Sequence, residues 1–503
     1  MRYPFSHIAA ICQFSALVLL AGCKKPTEEQ EPLQTDFDVD QGGLITQVSV
    51  EIHPKVETVL VVRWTQARDT LSTSIQYTFE NDAWLETPAT PCRAGAHEAV
   101  LLGIPEKTDV TFYFETVEDS ESSRVDGGIP DGGVPDSGLT APKQFTATTG
   151  EIPKKMPRPT VLAFHPELAD SARWMLGSVE DTPSKGSYYV GPFWIYIIDR
   201  KGRIVWYYAD LGDNPCMAYP RVARDGSHLY IEKRMFYAMG SYRPRVVRMT
   251  LDYNNIETIS IPGLDDCIDV TDDGGILFNE WTVSDEAYLK ERRPDGTERR
   301  IWSCGAWAET VGVTDIAHYC YSNTVNWNPT DDTVLLSFPY INTAVQIDRQ
   351  TGALLRQWGD AAGSYGFAPT TWSFEFNHFP NLTPDGTLLI STHAPGHEDK
   401  MAVGEHRFVE FTIDSAGQRL VEKWVYGEGV DDWPQFKGEA QRLENGNALV
   451  NYGTGGIIRE VTPDKKTAWH VKWDADFSDD RFNKMVGHTI LLDALYPLCN
   501  GWD

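Results

Sequence analysis

The chain has 503 residues, and aspartate and glutamate outnumber lysine and arginine enough to give a formal net charge of −28. A chain this acidic, without a basic cluster, repels the phosphates of nucleic acid, so we expect no nucleic-acid partner. The length is sufficient for two or three domains, and nothing in the composition indicates an oligomeric state.

The N-terminus has the pattern of an export signal. An apolar run over residues 8–20 leads to Leu-Ala-Gly-Cys at 20–23, which combines an apolar segment with a small-residue cleavage site. The run is too short to span a bilayer. We therefore predict a bacterial lipoprotein signal at 1–22, acylation of Cys23 and a flexible tether at 23–44. Lys24, by analogy with enterobacterial lipoproteins, favours anchoring in the outer membrane; an apolar helix end with an incidental cysteine is the alternative.

Residues 45–150 carry short alternating or β-branched runs separated by turns, at 48–52, 59–64, 74–78 and 110–116. Their number and spacing predict a β-sandwich. The segment resembles a fibronectin type III or immunoglobulin-like domain, with Trp64 in its core. The doubled Gly-Gly-x-Pro-Asp motif at 127–136 is interpreted as a solvated loop, with a calcium site as the alternative, and 151–159 as a stiff linker.

From residue 160 onward two turns recur at a period near 50 residues. The first precedes an apolar strand and has Asp-Gly or a related pair at 225–226, 273–274, 331–332, 385–386 and 445–446. The second is a polar hairpin that ends in tryptophan, at 200–206, 295–302, 351–358, 416–424 and 465–469, with a weaker copy at 252–259. This pattern predicts an all-β chain with a β-propeller at 160–503. Six blades fit best, and five or seven stay open.

Six cysteines follow Cys23. An exported protein permits disulfides, and six cysteines allow fifteen pairings among which the sequence does not choose. Cys304 and Cys320 are the closest pair along the chain and are our preferred bridge.

The innermost strand of each propeller blade lines the central channel. Counting back eight residues from the second position of each turn predicts the channel residues Ala218, Asp266, His378, Gly438 and, one residue out of register, Asn323 or Thr324. An imidazole, a carboxylate and an amide therefore converge on one axis in this prediction.

Two of these positions lie in a stretch that resembles a known family. Tyr-Ser-Asn-Thr-Val-Asn-Trp-Asn-Pro at 321–329 and Phe-Asn-His-Phe-Pro-Asn-Leu-Thr-Pro-Asp-Gly at 376–386 are similar to the core of the bacterial arylsulfotransferases. The resemblance implies a β-sandwich joined to a six-bladed propeller and transfer of a sulfuryl group from an aryl sulfate to a phenol. It implies that His378 is the nucleophile and Asn323 an amide donor, with no cofactor; Tyr321 is our predicted acid for the departing phenolate.

Several positions depart from the family pattern. Tyr321 stands where the family has histidine, Phe338-Pro339 where an arginine is expected, and Asp265-Asp266-Cys267 where a histidine pair is expected. Arg221 and Lys437 are candidates to restore positive charge at the substrate, and Asp266 either contacts the substrate or caps a turn. A propeller that binds a ligand without turnover, or presents a surface to a partner, is therefore the alternative function.

Two further clusters have competing interpretations. The metal-like set His393, His397, Glu398, Asp399 and His406 lies in a Pro/Gly loop, where ligand geometry is not enforced, so we expect a solvated loop and no metal. Four aromatic residues surround His378, and we favour packing over a phenol pocket for them: Trp372, Phe374, Phe376 and Phe379.

Overall fold

The described part of the chain is built almost entirely of β-strands. A computed structural model describes residues 34–37, 43–80, 82–118, 142–180, 193–209, 217–234, 244–280, 287–394, 405–428, 437–473 and 485–499. These residues belong to one unit, Gln34–Asp503. Among them, no helix combines the length and the apolar composition that crossing a bilayer requires.

Two sheets form the N-terminal region. The first contains, in spatial order, β1 (Gln34–Phe37), β2 (Ile45–Ile52), β3 (Leu60–Gln66) and β7 (Gly95–Leu101). The second contains β5 (Leu85–Glu86), β4 (Thr70–Phe79), β8 (Asp109–Val117) and β9 (Phe145–Thr148), with β6 (Thr90–Cys92) also paired to β4. Trp64, the predicted core tryptophan, is buried in the cluster that fills this region.

The predicted tether is wrong at its C-terminal end. Residues Gln34–Phe37 form β1 and pair antiparallel with Val48–Glu51. The ring of Phe37 lies 5.2 Å from that of Phe145 and 6.4 Å from that of Phe112. These aromatic contacts and a backbone ladder therefore hold residues whose polar composition indicated a solvated segment.

Six further sheets follow, which we number I to VI. Sheet I contains β35 (Ile490–Leu492), β11 (Trp174–Glu180), β12 (Phe193–Asp199) and β13 (Ile204–Ala209). Sheet II contains β14 (Met217–Val222), β15 (Leu229–Arg234), β16 (Arg245–Met249) and β17 (Ile256–Ser260). Sheet III contains β18 (Leu264–Val270), β19 (Ile276–Glu280), β20 (Tyr288–Arg292) and β21 (Glu298–Ser303).

The remaining sheets repeat this order with additions at the outer edge. Sheet IV contains β22 (Val325–Asn328), β23 (Thr333–Phe338), β24 (Thr343–Asp348) and β25 (Leu354–Gly359). Sheet V contains β27 (His378–Leu382), β28 (Leu388–His393), β29 (His406–Asp414) and β30 (Arg419–Tyr426), with β26 (Gly366–Ala368) parallel to β30. Sheet VI contains β31 (Gly438–Arg442), β32 (Ala448–Tyr452), β33 (Ile457–Val461), β34 (Thr467–Lys472) and β10 (Thr160–Phe164).

The two ends of this region close the sheets into a ring. Each sheet from I to VI contacts the next along the chain, and the ring of Trp473 beside sheet VI lies 4.5 Å from that of Tyr196 in sheet I. The C-terminal β35 completes sheet I, and the early strand β10 extends sheet VI. This closed ring of antiparallel sheets is the arrangement of a β-propeller.

The repeated turns occupy the predicted places. The five turns of the first kind join the first two strands of sheets II to VI, and the second hairpin joins the last two strands of all six sheets. Gly386 has a φ of +74°, which glycine adopts without steric cost. Asp332 takes the equivalent place in sheet IV at φ +51°, a conformation that aspartate tolerates better than most residues. Sheet I lacks this turn because its first strand comes from the C-terminus.

Short helices and one disulfide connect sheets III and IV. α1 (Cys304–Thr310) and α2 (Ile316–Tyr319) follow β21, and Cys304 bonds to Cys320 as predicted. Three 3-10 turns lie elsewhere, at Pro339–Ile341, Gly453–Gly455 and Tyr496–Cys499.

Buried ion pairs join neighbouring sheets. A glutamate on the third strand of sheets III, V and VI is buried, and each accepts from an arginine of the following sheet: Glu291 from Arg349, Glu410 from Arg442 and Glu460 from Arg200. The pairs neutralise the charge of both partners inside the packed interface, which is what burial of a charge requires.

Candidate functional site

One cavity lies where the inner strands of five of the six sheets meet. Its volume is about 390 Å³, including space open to solvent, and it is lined by Tyr219, Arg221, Glu232, Cys267, Ile268, His378, Phe379, Lys437, Glu439, Gly487 and His488. Sheets I, II, III, V and VI supply these residues. Three predicted site residues, His378, Arg221 and Lys437, therefore face the same space.

The start of β27 brings His378 to the cavity. The ladder between β27 and β28 is irregular between His378 and Asn381, and Phe379 has a φ of +54°. Such a bulge redirects side chains, and a non-glycine residue at positive φ is strained unless its surroundings hold it. Here the hydroxyl of Thr324 accepts a hydrogen bond from the Phe379 amide at 2.9 Å.

Arg221, near the end of β14, is held by three neutral acceptors. Its Nε donates to the Ile268 carbonyl at 2.8 Å, one terminal nitrogen contacts His488 Nε2 at 2.5 Å, and the other contacts Asn326 Oδ1 at 3.4 Å. The guanidinium also lies over the Phe379 ring, 5.4 Å from its centroid. Arg221 is consequently fixed in the wall of the cavity.

His488 links Arg221 to a buried carboxylate. Its Nδ1 lies 2.7 Å from Glu439 Oε2, and Oε1 of Glu439 accepts from the amide and the hydroxyl of Thr489 at 2.8 and 2.6 Å. A guanidinium only donates and a carboxylate only accepts. His488 therefore carries its proton on Nδ1 and offers the Nε2 lone pair to Arg221.

The pKa values of this pair agree with that assignment. Burial and the nearby Arg221 lower the pKa of His488 below its ordinary value, so the imidazole is neutral at pH 7. Burial by itself raises the pKa of Glu439, but the hydrogen bonds from His488 and Thr489 outweigh it and hold that pKa below its usual value. Glu439 is ionised at neutral pH.

A second cation lies against an aromatic ring of the same cavity. Lys437 Nζ is 4.2 Å from the centroid of the Tyr219 ring. Glu232, fully buried, accepts a hydrogen bond from the Cys267 amide at 3.3 Å. The cavity thus contains two cations, two carboxyl groups and two imidazoles, with Tyr219 and Phe379 as aromatic walls.

The cavity is lined by residues beside the predicted channel positions. Tyr219, Cys267, Phe379 and Glu439 each follow a predicted residue by one position, and the predicted His378 lines the cavity as well. The side chain of Ala218 lies outside the described part of the structure. Positive φ at Cys267, Phe379 and Lys437 breaks the alternation of side chains where the inner strands begin. Because these residues are not glycine, the sequence carries no sign of the change.

The two predicted donors of sheet IV lie outside the cavity lining. Asn323 is buried, and its Nδ2 donates to the Asn377 carbonyl at 3.1 Å. The ring of Tyr321 lies 5.9 Å from that of Tyr340. The side chain of Asp266 is outside the described part of the structure, as are Cys23 and the whole predicted signal peptide.

The remaining clusters divide between packing and the cavity. Trp372 and Phe374 are buried in the core of sheets IV and V, whereas Phe379 is buried and also lines the cavity. His393 and His406 are buried with ring centroids 5.2 Å apart, and residues 397–399 are not described. Among the described residues no group of three or more potential ligands is arranged to hold a metal.

Sequence reasoning missed Glu439 and His488. Glu439 directly follows the predicted position 438. His488 is two residues before β35, the strand that closes sheet I. The signal that could have found His488 was the channel register, extended to a C-terminal strand that closes sheet I. A tight fit supports this segment, because a side chain at Gly487 would overlap Ser178 and the Tyr219 ring.

Comparisons with known proteins identify no family. No protein-family model and no curated protein match the chain. Solved structures match distantly: a protein of unknown function from Bacteroides caccae (15% identity, 63% of this chain and 98% of that chain, TM-score 0.39) and TolB from Acinetobacter baumannii (10%, 77% and 80%, TM-score 0.38). A virginiamycin B lyase from Staphylococcus aureus, solved with quinupristin, matches at 12% identity over 63% of this chain and 88% of that chain, with a TM-score of 0.36. Likenesses this weak carry no argument about activity.

Proposed function

We propose that the chain is an exported lipoprotein in which a β-sandwich precedes a six-bladed propeller, and that its cavity transfers a sulfuryl group from an aryl sulfate to a phenol through His378. The observation that carries the proposal is the convergence of His378, Arg221 and Lys437 on one cavity. A nucleophile and two cations face the same space, although they come from sheets that are far apart in sequence.

The chemistry requires a neutral imidazole and a stabilised leaving group. A lone pair of His378 attacks the sulfur, and the bond between sulfur and the aryl oxygen breaks. That oxygen leaves with the electron pair as a phenolate, which takes a proton from solvent. An acceptor phenol then loses its proton to solvent and attacks the sulfur, and the nitrogen–sulfur bond returns its electron pair to the imidazole. Covalent transfer divides one difficult displacement into two easier steps.

The cavity walls suit both parts of an aryl sulfate. Arg221 and Lys437 attract the sulfuryl oxygens; a unit charge pair 4 Å apart contributes about 4 kcal/mol at an effective dielectric near 20. Tyr219 and Phe379 offer aromatic surface beside those cations. Donors that are already in place when charge redistributes lower the barrier most.

The envelope location is part of the same proposal. Acylation of Cys23 tethers the chain to the outer membrane. Substrates reaching a protein outside the cytoplasm are exogenous or secreted phenols and their sulfate esters, and no cofactor is required for sulfuryl transfer.

Binding without turnover is the second candidate, and one observation favours it. Asn323, the amide donor that the family resemblance implies, donates one of its two N–H groups to the Asn377 carbonyl, while Glu232 and Glu439 add two carboxyl groups to the cavity. Fewer free donors and added negative charge weaken the binding of an anionic transition state. The same cavity binds the ground state of a neutral or zwitterionic ligand more tightly.

The deciding experiment uses the mature chain purified in detergent. It is incubated with 4-nitrophenyl sulfate, with and without phenol, and release of nitrophenol is followed by absorbance. We expect phenol-dependent release that disappears in His378→Ala. His165→Ala is the matched control, because His165 is half-exposed and lies next to β10. If the folded wild type binds the ester but releases no nitrophenol, binding without turnover is the better description of the protein.

A further inference from the structure

Arg221 is buried without a neutralising carboxylate. It is 7% exposed, and its direct partners are a backbone carbonyl, a neutral imidazole and an amide oxygen. Among the described residues no carboxylate contacts its guanidinium. A buried charge is ordinarily paired with an opposite charge. Because Arg221 has no such partner in direct contact among the described residues, its charge remains available to a ligand in the cavity.

The guanidinium also keeps unused hydrogen-bond donors. Arginine has five N–H groups, and three of them are engaged, one on each nitrogen. The two that remain belong to different terminal nitrogens. A group with two oxygens on one centre, such as a sulfate or phosphate ester, is the partner that such donors recognise.

Glu439 and His488 determine where this charge sits. His488 Nε2 holds one terminal nitrogen of Arg221, and Glu439 holds His488 Nδ1 at 2.7 Å. Glu439 is itself anchored by Thr489 and by Asn451 Nδ2 at 3.4 Å. Because a neutral ring stands between Arg221 and Glu439, the carboxylate fixes the arginine without forming an ion pair that would cancel its charge.

We infer that Glu439 and His488 are positioning residues that hold Arg221 as the oxyanion-binding group of the cavity. The ligand chemistry is a tetrahedral oxyanion, sulfate or phosphate, on an organic ester. The identity of that ester rests on the proposed sulfuryl transfer, whereas the oxyanion site rests on the contacts of Arg221 alone. His488 is not the nucleophile, since its free lone pair is occupied by Arg221.

The first test measures binding of inorganic sulfate, inorganic phosphate and acetate to the full mature chain by calorimetry, at constant ionic strength. We expect sulfate to bind and Arg221→Gln to weaken it roughly tenfold or more, the usual effect of losing a charged hydrogen bond. Arg224→Gln, an exposed arginine two residues beyond β14, is the matched control and should bind as the wild type does. Phosphate binding better than sulfate identifies a phosphate ester as the natural group.

The second test separates positioning from folding. His488→Gln keeps an acceptor for Arg221 and a donor for Glu439, and we expect it to retain sulfate binding within about threefold. His488→Leu keeps neither and should weaken binding about as much as Arg221→Gln does. Equal affinity of His488→Leu and wild type would overturn the inference.

A third measurement examines the protonation of His488 in the wild-type chain. The ¹⁵N chemical shifts of His488, assigned by comparison with His488→Gln, should show a neutral ring protonated on Nδ1 at pH 7. The charged groups that face this ring are Arg221 from β14, Glu439 from β31 and Asp269 from β18. A ring protonated on Nε2, or doubly protonated at pH 7, contradicts the network. If nitrophenyl sulfate is not turned over but sulfate binding still depends on Arg221, sulfuryl transfer fails and the oxyanion site stands.

Discussion

Arg221 and Arg200 are two buried arginines with similar surroundings, but only Arg200 is paired directly with a carboxylate among the described residues. They are 7% and 8% exposed, each lies over an aromatic ring, and each donates from Nε to a backbone carbonyl at 2.8 Å. They differ in the charge of one partner. Arg200 contacts the Glu460 carboxylate at 2.9 Å, whereas Arg221 contacts the neutral ring of His488.

The comparison separates a structural arginine from a binding one. Arg200 joins sheets VI and I in a packed interface, and Glu460 cancels its charge there. Arg221 lines a cavity, and the neutral ring of His488 separates it from the Glu439 carboxylate. Burial alone therefore does not distinguish the two roles, and the charge state of the direct partner does.

Removing the ion-paired arginine should have the largest effect on stability. Arg200→Met leaves Glu460 buried without its cation, and we expect a loss of about 3–5 kcal/mol in the free energy of unfolding. Urea unfolding followed by tryptophan fluorescence measures it. A loss below about 1 kcal/mol would mean that burial of Glu460 is compensated by its other donors, Asn447 and the Asp170 amide.

Arg221→Met should show the reverse pattern. No carboxylate loses a direct partner, so the expected loss of stability is about 1–2 kcal/mol. The rate of nitrophenyl sulfate cleavage should fall by about 10²–10³, the usual consequence of losing one preorganised donor. Parallel unfolding and kinetic measurements on both variants test the contrast, and equal stability losses for Arg200→Met and Arg221→Met would remove it.

Acid should weaken the fold at the cavity through His488. The folded pKa of His488 is lowered by burial and by Arg221, so its contribution to stability is complete above the ordinary histidine value and is lost as the pH falls through the folded pKa. Melting temperatures of wild type and His488→Gln, compared between pH 8 and pH 5, measure this. The wild type should lose more stability than the variant, and parallel curves would show that His488 does not titrate in this range.

The smallest predicted effect concerns the ring beneath Arg221. Phe379→Leu removes the cation–π contact while keeping an apolar side chain, and a contact of this kind contributes about 0.5–1 kcal/mol. We expect sulfate affinity to fall roughly two- to fivefold by that figure. Calorimetric titration with sulfate measures it, and an unchanged affinity would show that hydrogen bonds alone place the guanidinium.

The fold followed from local patterns, and the site did so only in part. Asp-Gly turns and tryptophan-ending hairpins act within about ten residues, so their recurrence predicted the strand pairs of sheets II to VI correctly. The Cys304–Cys320 bridge, short in sequence, was also predicted. His378, Arg221 and Lys437 were placed among the candidates by register and charge, and the cavity brings them together.

The cavity lining depended on features that local pattern does not encode. Positive φ at Cys267, Phe379 and Lys437 breaks the alternation of side chains, so residues one position after the predicted ones also line the cavity, and side-chain character alone does not predict it. Asn323 was predicted as a donor from the channel register and the family resemblance, but the position of Asn377 decided which acceptor its amide meets.

The sequence by itself determined the β-propeller repeat, because turn chemistry and strand alternation are properties of short segments. Only the tertiary structure decided the electrostatics of the cavity. Arg221 and His488 are 267 residues apart in the chain, and His488 and Glu439 are 49 apart. Ring closure by β35 brings the three side chains together, and their contacts decide which arginine has its charge cancelled and which keeps it for a ligand.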